Sequence, residues 1–474
     1  MKNFPRVFIL NLNFSRKNHR ERRGRTLVAA WLLLTLVFLS PQRAAHAASL
    51  LLDAQACVLV EQESGKTLYA INENERMYPA SMTKILTALV ALEYLKPNDL
   101  VVTGDEVFAI PADASRANHK KGETLVVENL IRGLIIPSGS ETACVIAVAV
   151  AKKLNNVEEM GYVEAEAFFV RLMNEKAETL GARDSHFVNP HGYHSEDHYS
   201  TARDIALIAR AGMENELIKR IALEREFSGD GANNRAGSDA LTQHYEWRTL
   251  NELISGGAYS YRYATGIKTG WMDEAGYCVA ASAEKDGMRL IAIVMNSTEV
   301  GRWRDAADLF EYGFDNFSRY ELQTEGETVL DAPIANARLG TPKRLALVAE
   351  KSFIEFLSKD EYETLEQVVT LDEGLSALNG EEREMRAPIV KDQVIGSVAY
   401  MIGERQLFEG ALLAGADVQE RTLITDLEFY FSEFKAGIIS TKALYAVGGA
   451  IFGVLATLFV SGLRNRRRRR RRYY

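Results

Sequence analysis

The chain has 474 residues, enough for two or three domains that each bury a core, and its apolar (47%) and charged (25%) fractions exclude wholesale disorder. Its net charge of −8 is unevenly spread: the first 25 residues carry eight Lys/Arg against Glu21 and the end from Arg464 carries eight Arg, so the body between them holds roughly −23. An acidic body of this kind argues against nucleic acid as the main partner.

Basic residues from Arg16 to Arg25 precede an apolar run from Leu27 to Leu39, and Ala45-His46-Ala47 supplies small residues for cleavage. Residues 1–47 therefore read as an export signal cut after Ala47. The competing readings are an uncleaved anchor and, through Arg22-Arg23, a twin-arginine signal with poorly matched flanks.

Residues 48–320 form the next expected unit. Ala56 to Val60 and Thr67 to Ala70 read as strands joined through Ser64-Gly65-Lys66, a hairpin with a glycine turn. Ser81 to Leu95 is apolar nearly all round, which predicts a helix buried on most sides. Helices are expected over Val127–Leu134, Glu141–Lys153, Val163–Leu180 and Thr201–Ala211. Tyr277–Ser282 and Arg289–Met295 read as strands linked through Asp286-Gly287, with a helix over Arg304–Phe314. Strands at both ends with helices between predict an α+β unit whose sheet is assembled from the two chain ends.

From 321 to 425 the texture changes to short alternating strands, among them Arg344–Ala349, Val368–Leu371 and Val394–Tyr400, as in a small β domain. An aromatic-rich helix over Thr425–Leu444 reads as a juxtamembrane segment (residues 426–442) or a simple spacer. Ala443 to Leu463 is 21 residues without a charge, about the length that spans a bilayer. Arg464 and the seven arginines from Arg466 to Arg472 follow at once, in the tail 464–474. Arginine clustered at one end of a span marks the cytoplasmic side, so the folded body is expected outside a cell membrane on a single C-terminal anchor. Cys57, Cys144 and Cys278 are an odd number without C-x-x-C spacing and are expected to be buried thiols.

Two motifs carry chemistry. In Pro79-Ala80-Ser81-Met82-Thr83-Lys84 the serine and lysine stand at i, i+3, so on a helix the hydroxyl and amine share a face. Lysine acts as a base only when neutral; burial and a second cation both favour that state, and Lys268 of the distant Gly266-Ile267-Lys268-Thr269-Gly270 is the candidate cation. The pair reads as a serine acyl-transfer enzyme with a lysine base.

These residues resemble the serine D-alanyl-D-alanine carboxypeptidases, the low-molecular-mass penicillin-binding proteins. The likeness runs from about Ala54 to Phe317 and includes Phe187-Val188-Asn189-Pro190-His191-Gly192, His198-Tyr199-Ser200-Thr201-Ala202 and Ala280-Ala281-Ser282-Ala283. A weaker one, through Ala387-Pro388-Ile389-Val390-Lys391, reaches the family's C-terminal β domain. The resemblance implies a penicillin-binding-protein/β-lactamase-like transpeptidase fold with a helical region, Ser81 at the junction, a small β domain and a C-terminal transmembrane helix.

By that resemblance Ser81 is the acyl-ester nucleophile, Lys84 the general base and Ser138 a proton shuttle. Ser140, Lys268, Thr269, Gly270, Trp271 and Arg302 bind substrate, with the oxyanion between the backbone N–H groups of Ser81 and Trp271; Arg304 is close enough to compete with Arg302. The implied partners are peptidoglycan stem peptides as substrate, β-lactams as inhibitors and the cytoplasmic membrane, with no cofactor, metal or nucleic acid. One element departs from the family pattern: Pro137-Ser138-Gly139-Ser140-Glu141 has a serine where Ser-x-Asn is usual. Slower turnover or altered specificity is the implied consequence, and a catalytically weak peptidoglycan-binding relative or a DD-endopeptidase is the alternative. Glu141 is expected to be a solvated carboxylate at a helix start. His191, His194 and His198 with Asp197 resemble a metal site only superficially, because two of them fall inside the family segments. Glu246-Trp247-Arg248-Thr249-Leu250-Asn251 resembles a β-lactamase deacylation segment but is one residue too long and too near Lys268.

Overall fold

The computed structural model describes residues 50–436 except 238, 380 and 381, together with 7–9 and the isolated positions 449, 453, 456, 457 and 459. The chain divides into two compact units, Arg20–Arg319 and Tyr320–Tyr474 with Met1–His19.

The first unit is built on a five-stranded sheet in the order Thr67–Ile71, Ala56–Glu61, Met288–Ser297, Gly276–Lys285, Ala264–Met272. Every pairing is antiparallel, so strands from opposite ends of the unit close the sheet, as the sequence predicts. Side chains alternate between two buried faces, which explains why these strands read as continuous apolar runs. Leu59 and Leu290 point at Gly313 of the helix Gly301–Asn316, where an added Cβ would meet their methyl carbons at 2.9 and 2.6 Å. Val58, Val60, Ile291, Ile293 and Met295 face the other way, into the core shared with helices Lys84–Tyr94 and Ala202–Glu214.

The predicted helices are present as Val127–Ile135, Ser140–Asn155, Tyr162–Thr179 and Ala202–Glu214, each within a few residues of its sequence-based bounds. Lys84–Tyr94 has every residue from Lys84 to Ala91 buried. Its expected first turn is different: Ala80–Thr83 is a 3₁₀ turn, and α-geometry begins only at Lys84. Ala80 at φ +47° sets that entry. The sequence reading also missed the helix Glu216–Ala222 and two hairpins, Leu100–Val102 with Thr124–Val126 and Glu226–Asp230 with His244–Arg248.

The second unit is a β domain whose sheet runs Val7–Ile9, Leu365–Leu371, Val394–Ile402, Arg405–Ala414, Arg344–Ala349, Thr328–Ala335, Glu382–Arg386, Ser376–Asn379. Its core gathers Leu347, Val369, Ile395, Val398 and Leu412 around Tyr400. The Tyr400 hydroxyl accepts from Gln367 Nε2 at 2.8 Å and donates to the Leu322 carbonyl at 3.1 Å, which satisfies the one polar atom of this fully buried side chain.

Thr422 caps the helix Leu423–Lys435 with a reciprocal capping box through Thr425, so this helix starts earlier than the sequence suggested, and residues 437–444 of the expected helix lie outside the described residues. Among the described residues no helix is long and apolar enough to cross a membrane. The expected span Ala443–Leu463, the tail 464–474 and the leader lie outside the described residues, apart from isolated positions and Val7–Ile9, which pairs in parallel with Gln367–Val369.

Candidate active site

Ser81 lies in the 3₁₀ turn and Lys84 begins the following helix. Residues three apart eclipse in a 3₁₀ turn, so this entry stacks the two side chains more directly than an α-turn does. Lys84 Nζ lies 2.8 Å from Ser81 Oγ. It also donates to the His191 carbonyl at 2.8 Å and contacts Ser140 Oγ at 3.3 Å. These three partners suit a neutral amine: two N–H donors serve His191 and Ser140, and the lone pair is left for the Ser81 proton. Lys84 is fully buried, and burial lowers its amine to about 7, against a smaller upward pull from Glu141.

The strand Ala264–Met272 ends the sheet, and its outer edge runs beside the nucleophile turn. Gly270 is what allows the approach: a Cβ there would stand 3.0 Å from the Pro79 carbonyl and 3.3 Å from Ser81 N. Lys268 is 1% exposed, and its amine is held well below its usual range by burial and then by Lys84 and Arg302, two like charges. Its Nζ donates to the Thr269 carbonyl at 3.0 Å. Trp271 is half exposed and tilts over Tyr277.

Arg302 and Arg304 are two apart on one helix and so point in different directions. Arg302 donates to the Gly270 carbonyl at 3.3 Å, lies over the rings of Tyr277 and Trp303, and keeps a buried Nε without a partner. Arg304 faces away to Asp53, at 2.8 Å. The arginine beside the Lys268 strand is therefore Arg302.

The Ser138–Glu141 segment opens the helix Ser140–Asn155, with Ser138 at φ +64°. Ser140, not Ser138, touches Lys84. Among the described residues the Ser138 hydroxyl makes no hydrogen bond, while its carbonyl accepts from Ser115 Oγ at 2.6 Å. Glu141 corrects the sequence reading: it is 1% exposed rather than solvated, and one oxygen accepts from the Asn118 and His119 N–H groups at 2.6 and 3.4 Å.

Sequence reasoning missed a supporting layer. Thr142 donates to His119 Nε2 at 2.9 Å, His119 Nδ1 donates to the Tyr245 hydroxyl at 2.8 Å, and Tyr245 donates to Glu123 at 2.6 Å. The direction follows because the single Tyr245 proton goes to the carboxylate. Burial pushes His119 down to about 3, so it stays neutral in this chain. Such partners carry no motif, because Tyr245 stands more than a hundred residues from the His119, Glu123 and Thr142 it is joined to.

The segment from Asn189 to His198 forms the back wall. Gly192, at φ +83°, lies so close to the nucleophile turn that a Cβ would meet the Ala80 oxygen at 2.0 Å. His198 contacts Thr83 Oγ1 through Nε2 at 2.9 Å and accepts from Val188 N through Nδ1 at 3.2 Å. Burial lowers both His191 and His198 to about 3. Glu246 is exposed on the Glu226–Asp230/His244–Arg248 hairpin. Cys57, Cys144 and Cys278 are buried and unpaired, as expected.

The sequence profile of the D-alanyl-D-alanine carboxypeptidases (peptidase family S11) matches residues 42–299, more than half of the chain. The chain belongs to that family. It is a serine-type D-Ala-D-Ala carboxypeptidase, a penicillin-binding hydrolase of the cell wall. Residues 317–420 match the C-terminal domain of penicillin-binding protein 5. The chain is 30% identical over 417 residues to D-alanyl-D-alanine carboxypeptidase DacF of Bacillus subtilis, covering 85% of this chain and 96% of that one. It is 28% identical over 382 residues to DacA of Escherichia coli K12, covering 78% and 84%. Penicillin-binding protein 5 of Haemophilus influenzae superposes with a TM-score of 0.57 at 26% identity, over 78% of this chain and 99% of that one.

In this carboxypeptidase Gly192→Ala is expected to displace the Ala80–Ser81 peptide. D-Alanine release should fall about 100-fold and stability by about 2 kcal/mol, read from steady-state rates and Tm.

Proposed function

We propose that the chain removes the terminal D-alanine from peptidoglycan stem peptides through an ester on Ser81, with Lys84 as base. The observation that carries this reading is the 2.8 Å contact between Ser81 Oγ and a buried Lys84 amine brought down to about 7. Ser81 Oγ attacks the penultimate D-alanine carbonyl carbon and its proton passes to Lys84. The backbone N–H groups of Ser81 and Trp271 hold the oxyanion. As the peptide C–N bond breaks, Lys84 returns the proton to the departing D-alanine nitrogen. Water then attacks the ester, Lys84 takes its proton, and Ser81 is regenerated.

Lys268, Thr269 and Arg302 receive the substrate carboxylate. Lys268 is buried beside Arg302, and the buried Arg302 Nε has no partner, so a carboxylate supplies the missing counter-charge. β-Lactams acylate Ser81 by the same route. Arg302→Leu should raise KM for a stem pentapeptide at least about tenfold while Arg304→Leu leaves it within about twofold, because only the first removes a buried charge-assisted contact.

Ser140 stands where the family pattern has asparagine. Its hydroxyl anchors Lys84 at 3.3 Å but offers no amide to the substrate peptide. Ser140→Asn is expected to raise kcat/KM about tenfold, measured as D-alanine release.

The reading extends to location: the catalytic unit is extracytoplasmic, Ala443–Leu463 spans the cytoplasmic membrane and the arginine tail is cytoplasmic. The exposed Leu423, Ile424, Leu427 and Phe431 of the helix leading to that segment support it. The direct test is D-alanine release from a pentapeptide ending in D-Ala-D-Ala by the full chain in detergent. Release establishes the reaction; none from folded protein overturns it. Deleting residues 443–474 should move the protein from the membrane to the soluble fraction.

A further inference from the structure

We infer that Glu141 is a positioning residue for the serine–lysine pair, the fixed buried anion against which the site holds its lysines. The inference rests on Lys84 being the base. Glu141 is 1% exposed, one of its oxygens accepts two backbone N–H groups, and the other is buried without a hydrogen-bond partner. A protonated carboxyl would carry a hydrogen with no acceptor at that oxygen. Burial pushes the Glu141 carboxyl up, while the N–H groups and the first turn of the helix Ser140–Asn155 pull the other way, towards the anion. Its neighbour in the chain, Ser140, touches Lys84 Nζ at 3.3 Å, so the carboxyl belongs to the residue next to one that contacts the amine.

The other groups facing Lys84 cannot do this. Lys268, on the strand Ala264–Met272, is a like charge, and Arg302 behind it adds another. Cys144, one turn along the same helix, is an uncharged thiol that burial pushes up to about 12. His191 and His198, from the back wall, are neutral because burial lowers both to about 3. Glu141 is thus the negative charge of this cluster among the described residues, and it raises the Lys84 amine against the pull of burial. A purely structural Glu141 would only tie residues 118–119 to the helix start.

Glu141→Gln separates the two roles, since glutamine keeps the accepting oxygen and loses the charge. The test is D-alanine release and benzylpenicillin acylation by the full chain between about pH 5 and 9. The unmutated protein should gain activity as pH rises through about 7. In Glu141→Gln the rise should move about one pH unit lower, as expected for loss of a nearby charge at an effective dielectric of about 20. Glu141→Asp, which draws the charge back by one methylene, should give an intermediate position. It carries the test if Glu141→Gln does not fold. A rise that stays at the unmutated position in every folded variant overturns the inference, whatever happens to the plateau rate. No rise at all in the unmutated protein instead overturns the reading of Lys84 as base.

Discussion

Ser81→Ala is expected to leave a folded protein in which D-alanine release falls by about 10⁴-fold or more and benzylpenicillin adds no covalent mass. The size follows from the role: without the nucleophile no acyl-enzyme forms, and only binding and oxyanion stabilisation remain. Stability should change by no more than about 1 kcal/mol, because Lys84 keeps His191 and Ser140 as partners and loses one. Intact-protein mass spectrometry and Tm check both halves. Release at the unmutated rate would show that a different group attacks.

Lys84→Met has the second largest effect on activity and raises stability. Loss of the base should lower kcat/KM by about 10³-fold and remove the rise in activity through pH 7. For stability, the folded-state amine near 7 compares with the ordinary lysine value of 10.5 in the unfolded chain. Between those values the unfolded chain binds more protons, so the unmutated protein loses stability as pH falls from about 10 towards 7. The full cost, on the order of a few kcal/mol, is present below about 7. Methionine fills similar volume without a charge, so the variant should be more stable, most clearly at or below pH 7 and least above pH 10. Denaturant titrations at several pH values measure this. A variant less stable than the unmutated protein throughout would mean that the three contacts of the amine outweigh its desolvation.

Much of the site was legible because it is written in side-chain chemistry at short spacing. Ser81 and Lys84 are three residues apart, and Lys268, Thr269 and Gly270 are contiguous. The two-ended sheet was legible too, since strands buried on both faces must be apolar throughout. The choice between Arg302 and Arg304 was not, because helix rotation is set by which side chains bury, here Trp303, Ala306 and Phe310. Glu141 looked solvated because a carboxylate at a helix start usually is; its burial depends on residues 118–119 folding over it.

The sequence by itself determined the pairing of Ser81 with Lys84, the Lys-Thr-Gly strand and the succession of a helical-and-sheet unit by a β unit. These rest on residue types and hydrophobic periods, which are local. Tertiary structure alone decided that a backbone carbonyl at His191 holds Lys84, that Ser140 rather than Ser138 contacts it, and that Gly192 clears the nucleophile turn. A carbonyl has no residue signature, and a clearance of one Cβ belongs to two segments more than a hundred residues apart. Both exist only once the chain has brought those segments together.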